Sequence, residues 1–206
     1  MSKLKITTLF LDIGGVLLTN GWGRDSRNKA ITHFRLNAEE VNERHHLTFD
    51  TYEEGKLTLS EYLHRVVFYE PRKFSEGDFT AFMFKQSLPY TDTISFFKKL
   101  KTSHGLKIVA VSNEGRELNN YRIKKYKLSE LFDAFVSSSF VHLRKPDADI
   151  FRMASDIAQT ATENSLYIDD RLMFVEVARK TGMHGLHYEG LPAIKKQLKR
   201  FGLTTS

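Results

Sequence analysis

Ile6-Thr7-Thr8-Leu9-Phe10-Leu11-Asp12-Ile13-Gly14-Gly15 is an apolar run that ends in a carboxylate and breaks at two glycines. Its side chains alternate little between apolar and polar, the pattern of a parallel strand covered on both faces. Two further runs end in the same manner, Val109-Ala110-Val111-Ser112 and Tyr167-Ile168-Asp169-Asp170, and Arg144-Lys145-Pro146-Asp147 precedes a helical stretch. In an open α/β sheet the loops after the strand C-termini gather at one edge, where ligands bind. A carboxylate, a hydroxyl, an ammonium and a carboxylate pair are therefore expected to meet in space although they lie far apart in the chain.

Outward from these tips, the periodicity predicts strands over 6–11, 106–111, 132–136, 165–168 and 184–187. Between 91 and 201 they alternate with helices, including 116–126, 148–158, 172–181 and 192–201. This β-α alternation implies a parallel sheet with right-handed crossovers. Between the first strand and Leu88-Pro89-Tyr90 only helical spacing is found: 28–36, 38–52 capped by Asn37, a third helix capped by Ser60, and a fourth around Phe79, Phe82, Met83 and Phe84. The expected architecture is an α/β, Rossmann-like parallel sheet core with an inserted all-α cap. The core comprises residues 1–20 and 89–206, and the cap 21–88.

The 206 residues are 41% hydrophobic, enough for a proper core, and carry a formal net charge of +6. The basic excess lies in 98–101, 124–127 and 195–200, each on or just after a helix and without the interleaved aromatic residues of a single-strand binder. Solvated helix faces are expected, with no nucleic-acid partner; a mild positive field can still draw in a phosphorylated metabolite. Without cysteine, disulfides and thiolate metal sites are excluded. The opening Met1-Ser2-Lys3-Leu4-Lys5 leads into the first strand without the apolar run and cleavage site of a signal peptide, and no stretch is long enough to span a bilayer. A cytoplasmic address and no membrane partner are expected; the sequence leaves the oligomeric state open.

Each candidate residue has a plain structural reading beside a chemical one. Asp12 suits a turn, but a carboxylate at a strand tip can also attack phosphorus. Ser112 and Asn113 can begin a helix or meet a phosphate oxygen near a helix N-terminus. Lys145 can be solvated or can neutralise Asp12 and a phosphate, whereas Arg144 reads as a surface charge. Asp169 and Asp170 repel one another unless a positive group lies beside them, and Mg²⁺ meets that need with oxygen ligands.

Taken together and in this order, the four segments resemble the haloacid dehalogenase-like hydrolase superfamily. The resemblance extends over nearly the whole chain and includes a helical cap after the first motif. It implies that Asp12 is the nucleophile and a Mg²⁺ ligand, that Gly14 offers its backbone carbonyl to that metal, and that Asp169 and Asp170 complete the site directly or through water. It also implies that Ser112, with the Asn113 backbone, holds the phosphoryl group, and that Lys145 bridges nucleophile and phosphate. The superfamily's named dehalogenases work without metal and lack a paired-acid fourth motif, so Asp169-Asp170 favours phosphoryl chemistry.

Two positions depart from the family pattern. Gly14 stands where phosphatases of the family usually carry a second Asp as general acid and base. A subset that includes a sugar-1-phosphate phosphatase shares this gap. Phe174 stands where Asn often follows the paired acids. The expected function is a Mg²⁺-dependent phosphatase acting on a small phosphorylated metabolite, such as a sugar phosphate, through an aspartyl-phosphate. The alternatives are an impaired phospholigand-binding or regulatory member of the same fold and a metal-free 2-haloacid dehalogenase. Trp22, Arg24, His45, His46, Tyr52 and Glu53 are candidates for the inner surface of the cap, and a cap histidine could replace the missing acid.

Overall fold

A computed structural model describes residues 5–205. Met1 to Leu4, read above as no signal peptide, lie outside the described residues, as does Ser206. Five parallel strands, β1 (Thr8–Leu11), β2 (Lys107–Ser112), β3 (Ala134–Ser137), β4 (Ser165–Asp169) and β5 (His184–His187), form one sheet in the order β3-β2-β1-β4-β5. Beyond β1 lie helices α1 (Arg24–Phe34), α2 (Ala38–Glu53), α3 (Leu59–Val66) and α4 (Glu76–Lys85). The sheet is then flanked by α5 (Thr91–His104), α6 (Arg116–Lys125), the short α7 (Ser138–Val141), α8 (Ala148–Ala158), α9 (Leu172–Lys180) and α10 (Leu191–Leu198). The chain has the α/β, Rossmann-like architecture that its apolar runs predict.

Alternation along the strands divides the core into two layers. Leu9, Leu11, Ile108, Ala110, Leu166 and Ile168 face one layer, with Phe97 of α5 and Ile194 of α10. Phe10, Val109, Val111 and Tyr167 face the other, with Phe151 of α8 and Val175 of α9. Helices α1–α4 have a separate apolar cluster that includes Trp22, Val41, Tyr52, Tyr62, Phe79 and Met83, and Leu118 of α6 packs into it. No helix among the described residues is long and apolar enough to cross a membrane.

Strand order reverses at β1, which pairs with β2 on one side and β4 on the other. Leu11 is level with Ala110 and Ile168, so Asp12, Ser112 and Asp169 leave neighbouring strands at one sheet edge. This is the switch point at which open α/β sheets bind ligands.

Local boundaries differ from the predicted ones where the caps differ. Asn37 caps α2 as expected, accepting a hydrogen bond from the Glu40 amide. Helix α3 is capped by Thr58, not Ser60, because Thr58 and Glu61 form a reciprocal capping box. Helix α1 starts at Arg24, four residues before the predicted start, behind Gly23, which offers no capping side chain. The last predicted helix becomes α10 followed by a separate 3₁₀ turn over Lys199–Phe201.

Candidate active site

Lys145 is 1% exposed and cannot be solvated at that depth. Its Nζ lies 2.7 Å from Asp169 Oδ2 and 3.2 Å from Asp12 Oδ2. Burial works against the Lys145 charge, but Asp12 and Asp169 outweigh it and hold its pKa above the ordinary value. Asp12 feels the same ammonium, yet burial dominates, with help from the Asp169 and Asp170 charges, and pushes its carboxyl up to about 6. The Phe174 ring lies 5.0 Å from the ammonium and the Tyr167 ring 5.8 Å. An aromatic face thus stands where the resemblance leads one to expect an amide, and a cation–π contact takes its place.

The Lys145 backbone is clamped to the next strand tip. Asn113 Nδ2 donates to the Lys145 carbonyl at 2.8 Å, and the Lys145 amide donates to Asn113 Oδ1 at 2.9 Å. Two bonds occupy the Asn113 side chain. The buried Ser112 hydroxyl lies beside the Asp12 carboxyl and lowers its pKa, and Asp12 Oδ1 accepts from the Ile13 amide at 2.7 Å.

The two adjacent acids differ in what surrounds them. Asp169 is saturated: Oδ2 accepts from Lys145 and from the Tyr167 hydroxyl, and Oδ1 accepts from the Arg171 amide at 2.7 Å. Asp170 Oδ1 is buried without a hydrogen-bond partner, and its carboxyl pKa is raised, first by burial and then by Asp169. Oxygens of Asp12, Asp169 and Asp170 all lie within 4.8 Å of one another. Opposite ligands of an octahedral Mg²⁺ with 2.0–2.1 Å bonds are about 4.2 Å apart; oxygens within 4.8 Å of one another, one of them an orphaned acceptor, reach that span with a small side-chain adjustment and suit an oxygen-binding cation. Asp170 has the unpartnered oxygen and the Asp12 side chain keeps 11% of its surface exposed, whereas Asp169 is fully buried and engaged in fixing Lys145. Gly15 makes the close approach possible. It adopts φ +75°, and a Cβ there would fall 2.1 Å from Asp170 Oδ2.

A cavity of about 430 Å³ opens over this cluster. Its floor includes Asp12, Gly14, Asn113 and Lys145, and α1 and α2 add Arg24, Arg27, His45, Phe49 and Glu53. Of the expected inner-surface residues, Trp22, Arg24, His45 and Glu53 line it. Tyr52 does not: it is buried, stacked on Tyr62 at 4.8 Å between ring centroids. His46 lines a separate, neighbouring pocket on the helical side. His45 is a poor acid. Its Nδ1 lies 2.8 Å from the Tyr62 hydroxyl, whose oxygen already accepts from Trp22 Nε1 at 2.9 Å. Indole only donates, which leaves the Tyr62 hydroxyl to pair with His45 Nδ1 as donor or as second-bond acceptor, according to the imidazole tautomer. Burial, then Arg27 and His46, push the His45 pKa down to about 3.

Three lining residues carry roles that sequence reading missed. Arg144 is no free surface charge, for it pairs with Glu53 at 2.6 Å and with Asp50 at 2.9 Å, both on α2. Glu114 accepts from Arg122 Nη1 at 2.5 Å. Arg122 is 1% exposed and also donates to the Thr19 carbonyl and to Ser87 Oγ. Burial raises the Glu114 carboxyl to about 7, against the pull of Arg122.

The haloacid dehalogenase-like hydrolase model matches residues 72–187, more than half of the chain and inclusive of Ser112, Lys145 and the acidic pair. The chain belongs to this family. Sesquiterpene phosphatase astK of Aspergillus oryzae is similar to this haloacid dehalogenase-like hydrolase, with 26% identity over 145 residues that cover 68% of this chain and 71% of the other. Drimenol cyclase drtB of Aspergillus calidoustus is 27% identical over 150 residues, 71% of this chain. The matched region spans 28% of the length of drtB. In three dimensions, a HAD family enzyme of Bacteroides thetaiotaomicron superposes with a TM-score of 0.77 at 20% identity, covering 90% of this chain and 94% of that one. The same enzyme has been solved in complex with magnesium and inorganic phosphate.

Proposed function

We propose that this hydrolase is a Mg²⁺-dependent phosphatase that acts on a small phosphorylated metabolite through an aspartyl-phosphate on Asp12, with helices α1–α4 as its substrate-selecting cap. The observation that carries the reading is the convergence of Asp12, Asp169 and Asp170 around buried Lys145, with an unpartnered Asp170 oxygen beside them. Asp12 attacks phosphorus in line, and the phosphoryl–oxygen bond to the leaving group breaks. Ser112, the Asn113 backbone and Lys145 hold the phosphoryl oxygens, in a site whose donors are already oriented. Asp12 and Asp170, with the Gly14 carbonyl, would hold Mg²⁺, which supplies charge stabilisation for phosphoryl transfer when bound.

The leaving oxygen needs a proton, and Gly14 brings none. A Cβ at position 14 would stand 2.9 Å from Asn20 Oδ1 and 3.9 Å from Arg122 Nη1, the nitrogen that carries Glu114. In this reading Glu114, poised near neutrality, protonates the leaving oxygen and then takes a proton from the water that hydrolyses the aspartyl-phosphate. The astK name supports placing prenyl phosphates beside sugar phosphates as substrate candidates. The test is a panel of both, assayed with and without Mg²⁺ on the wild type and on Asp12→Asn. Mg²⁺-dependent phosphate release lost in the variant is expected; release that persists in Asp12→Asn contradicts the assignment. Release of halide from a 2-haloacid without Mg²⁺ would favour the dehalogenase reading.

A further inference from the structure

The charges lining the cavity do not balance. Three acids face it, and each has a cationic partner: Asp12 with Lys145, Glu53 with Arg144, and Glu114 with Arg122. Three more cations, Arg24, Arg27 and Arg171, line the same cavity and form no ion pair within 4.0 Å among the described residues, although Arg171 lies near enough to Asp170 and Glu53 to lower the pKa of each. Arg24 and Arg27 lie three residues apart on α1, spaced to share a helix face. They are close enough that Arg24, after burial, lowers the Arg27 pKa, and Arg27 in turn depresses His45. Arg27 Nη1 donates to the Trp22 carbonyl at 3.0 Å, while Arg27 Nε is buried with no partner. The amino end of α1 also borders the cavity, and Gly23 leaves its amides without a capping side chain. Like charges gathered beside uncapped amides are unfavourable unless an anion joins them.

The scissile phosphate does not account for this excess, because Lys145, Ser112 and the acid cluster already provide for it. We propose that Arg24, Arg27 and Arg171 form a second anion subsite, and that the substrate carries a second anionic group, phosphate or carboxylate, beyond the phosphate that is cleaved. The proposal rests on the phosphatase reading for the first subsite and adds a substrate class to it: diphosphates, bisphosphates or phosphorylated acids in place of neutral-tailed monophosphates. Arginine suits the role, since its planar fork pairs with either oxyanion through two parallel hydrogen bonds.

The test is calorimetric binding to the intact protein with Mg²⁺, using inorganic phosphate, methylenediphosphonate and phosphonoacetate as probes. The wild type is expected to bind methylenediphosphonate at least about ten-fold more tightly than phosphate, in keeping with added charge-assisted hydrogen bonds. Phosphonoacetate gains equally if a carboxylate suffices, and gains nothing if the subsite takes only phosphate. Arg24→Gln/Arg27→Gln and, separately, Arg171→Gln should erase the gain and leave phosphate binding within about two-fold, a change of under 0.5 kcal/mol. Arg24→Gln alone, at an exposed position, keeps the test open if the double variant unfolds. Equal binding of phosphate and diphosphonate by the wild type overturns the subsite and leaves the phosphatase reading standing. So does a gain that survives the arginine variants, because chelation of Mg²⁺ would then explain it. Diphosphonate binding that needs the arginines, without Mg²⁺-dependent phosphate binding, preserves the subsite and sinks the phosphatase reading.

Discussion

At the sheet edge, three carboxylates crowd around one ammonium, and the strand tips of β1 and β4 with the loop before α8 hold them in place. Across the cavity, α1 and α2 present Arg24, Arg27 and neutral His45, positioned by a cluster of aromatic side chains. The first region is acidic, rigid and specified by strands that the whole core locks. The second is cationic and rests on its own apolar cluster. The division suits the function proposed above, in which the chemistry lies at the sheet edge and the helices select the substrate.

The largest expected effect separates the two regions outright. Asp12→Asn should lower turnover by about four orders of magnitude or more, as loss of a nucleophile does, with circular dichroism unchanged. No substitution in α1 or α2 should approach that loss in kcat. Lys145→Met comes next. It leaves the acids with no buried cation, and removing one partner of a buried pair costs about 3–5 kcal/mol. Urea unfolding should show this loss in metal-free buffer, and added Mg²⁺ should restore part of it. Unchanged stability would mean that the lysine is not the counter-charge its contacts imply.

Glu114→Gln should slow hydrolysis of substrates with poor leaving groups by about 10²–10³-fold, while p-nitrophenyl phosphate, which leaves without protonation, should be much less affected. Glu114 must hold its proton to act as the acid, so wild-type kcat on the poor leaving group should fall as pH rises through about 7. Burial sets that value first, with Arg122 opposing it and Glu53 and Asp12 adding to it, and the limb should vanish in the variant. A purely structural glutamate would lower both substrates alike and leave the pH profile in place.

The smallest effect belongs to the helical region. His45 has a folded pKa of about 3, set by burial, Arg27 and His46, against about 6.5 when unfolded. Between these values the unfolded chain holds more protons, so stability is present above pH 6.5 and is lost as pH falls toward 3. His45→Gln, which can still hydrogen-bond Tyr62 in either direction, should flatten this part of the pH dependence in thermal melts with little change in turnover at neutral pH. A large loss of turnover there would give His45 a part in the chemistry.

The same contrast explains what was legible. Asp12, Ser112 and Asp169 could be read because parallel strands advertise themselves as apolar runs, and a run's last residue lies at the ligand edge. Lys145 could be read because its loop has to reach that edge. Arg144 could not, since its partners Asp50 and Glu53 belong to a helix some 90 residues earlier and no local pattern links them. Arg122 was missed for the same reason, since it joins Thr19 and Ser87 from far along the chain, and Glu114 because only burial beside Arg122 sets it apart from an exposed loop acid. Of His45 and His46, adjacent on one helix, only the packing against Tyr62 reveals which turns inward.

The most direct test of the account is to trap the covalent step. The protein is mixed with ³²P-labelled acetyl phosphate and Mg²⁺, quenched in acid within the first turnover, digested and mapped by mass spectrometry. The account predicts one acid-stable, hydroxylamine-labile phosphoryl group on the peptide that contains Asp12, absent without Mg²⁺ and absent in Asp12→Asn. Label on any other residue, or label at Asp12 that forms equally well without a divalent cation, would contradict it.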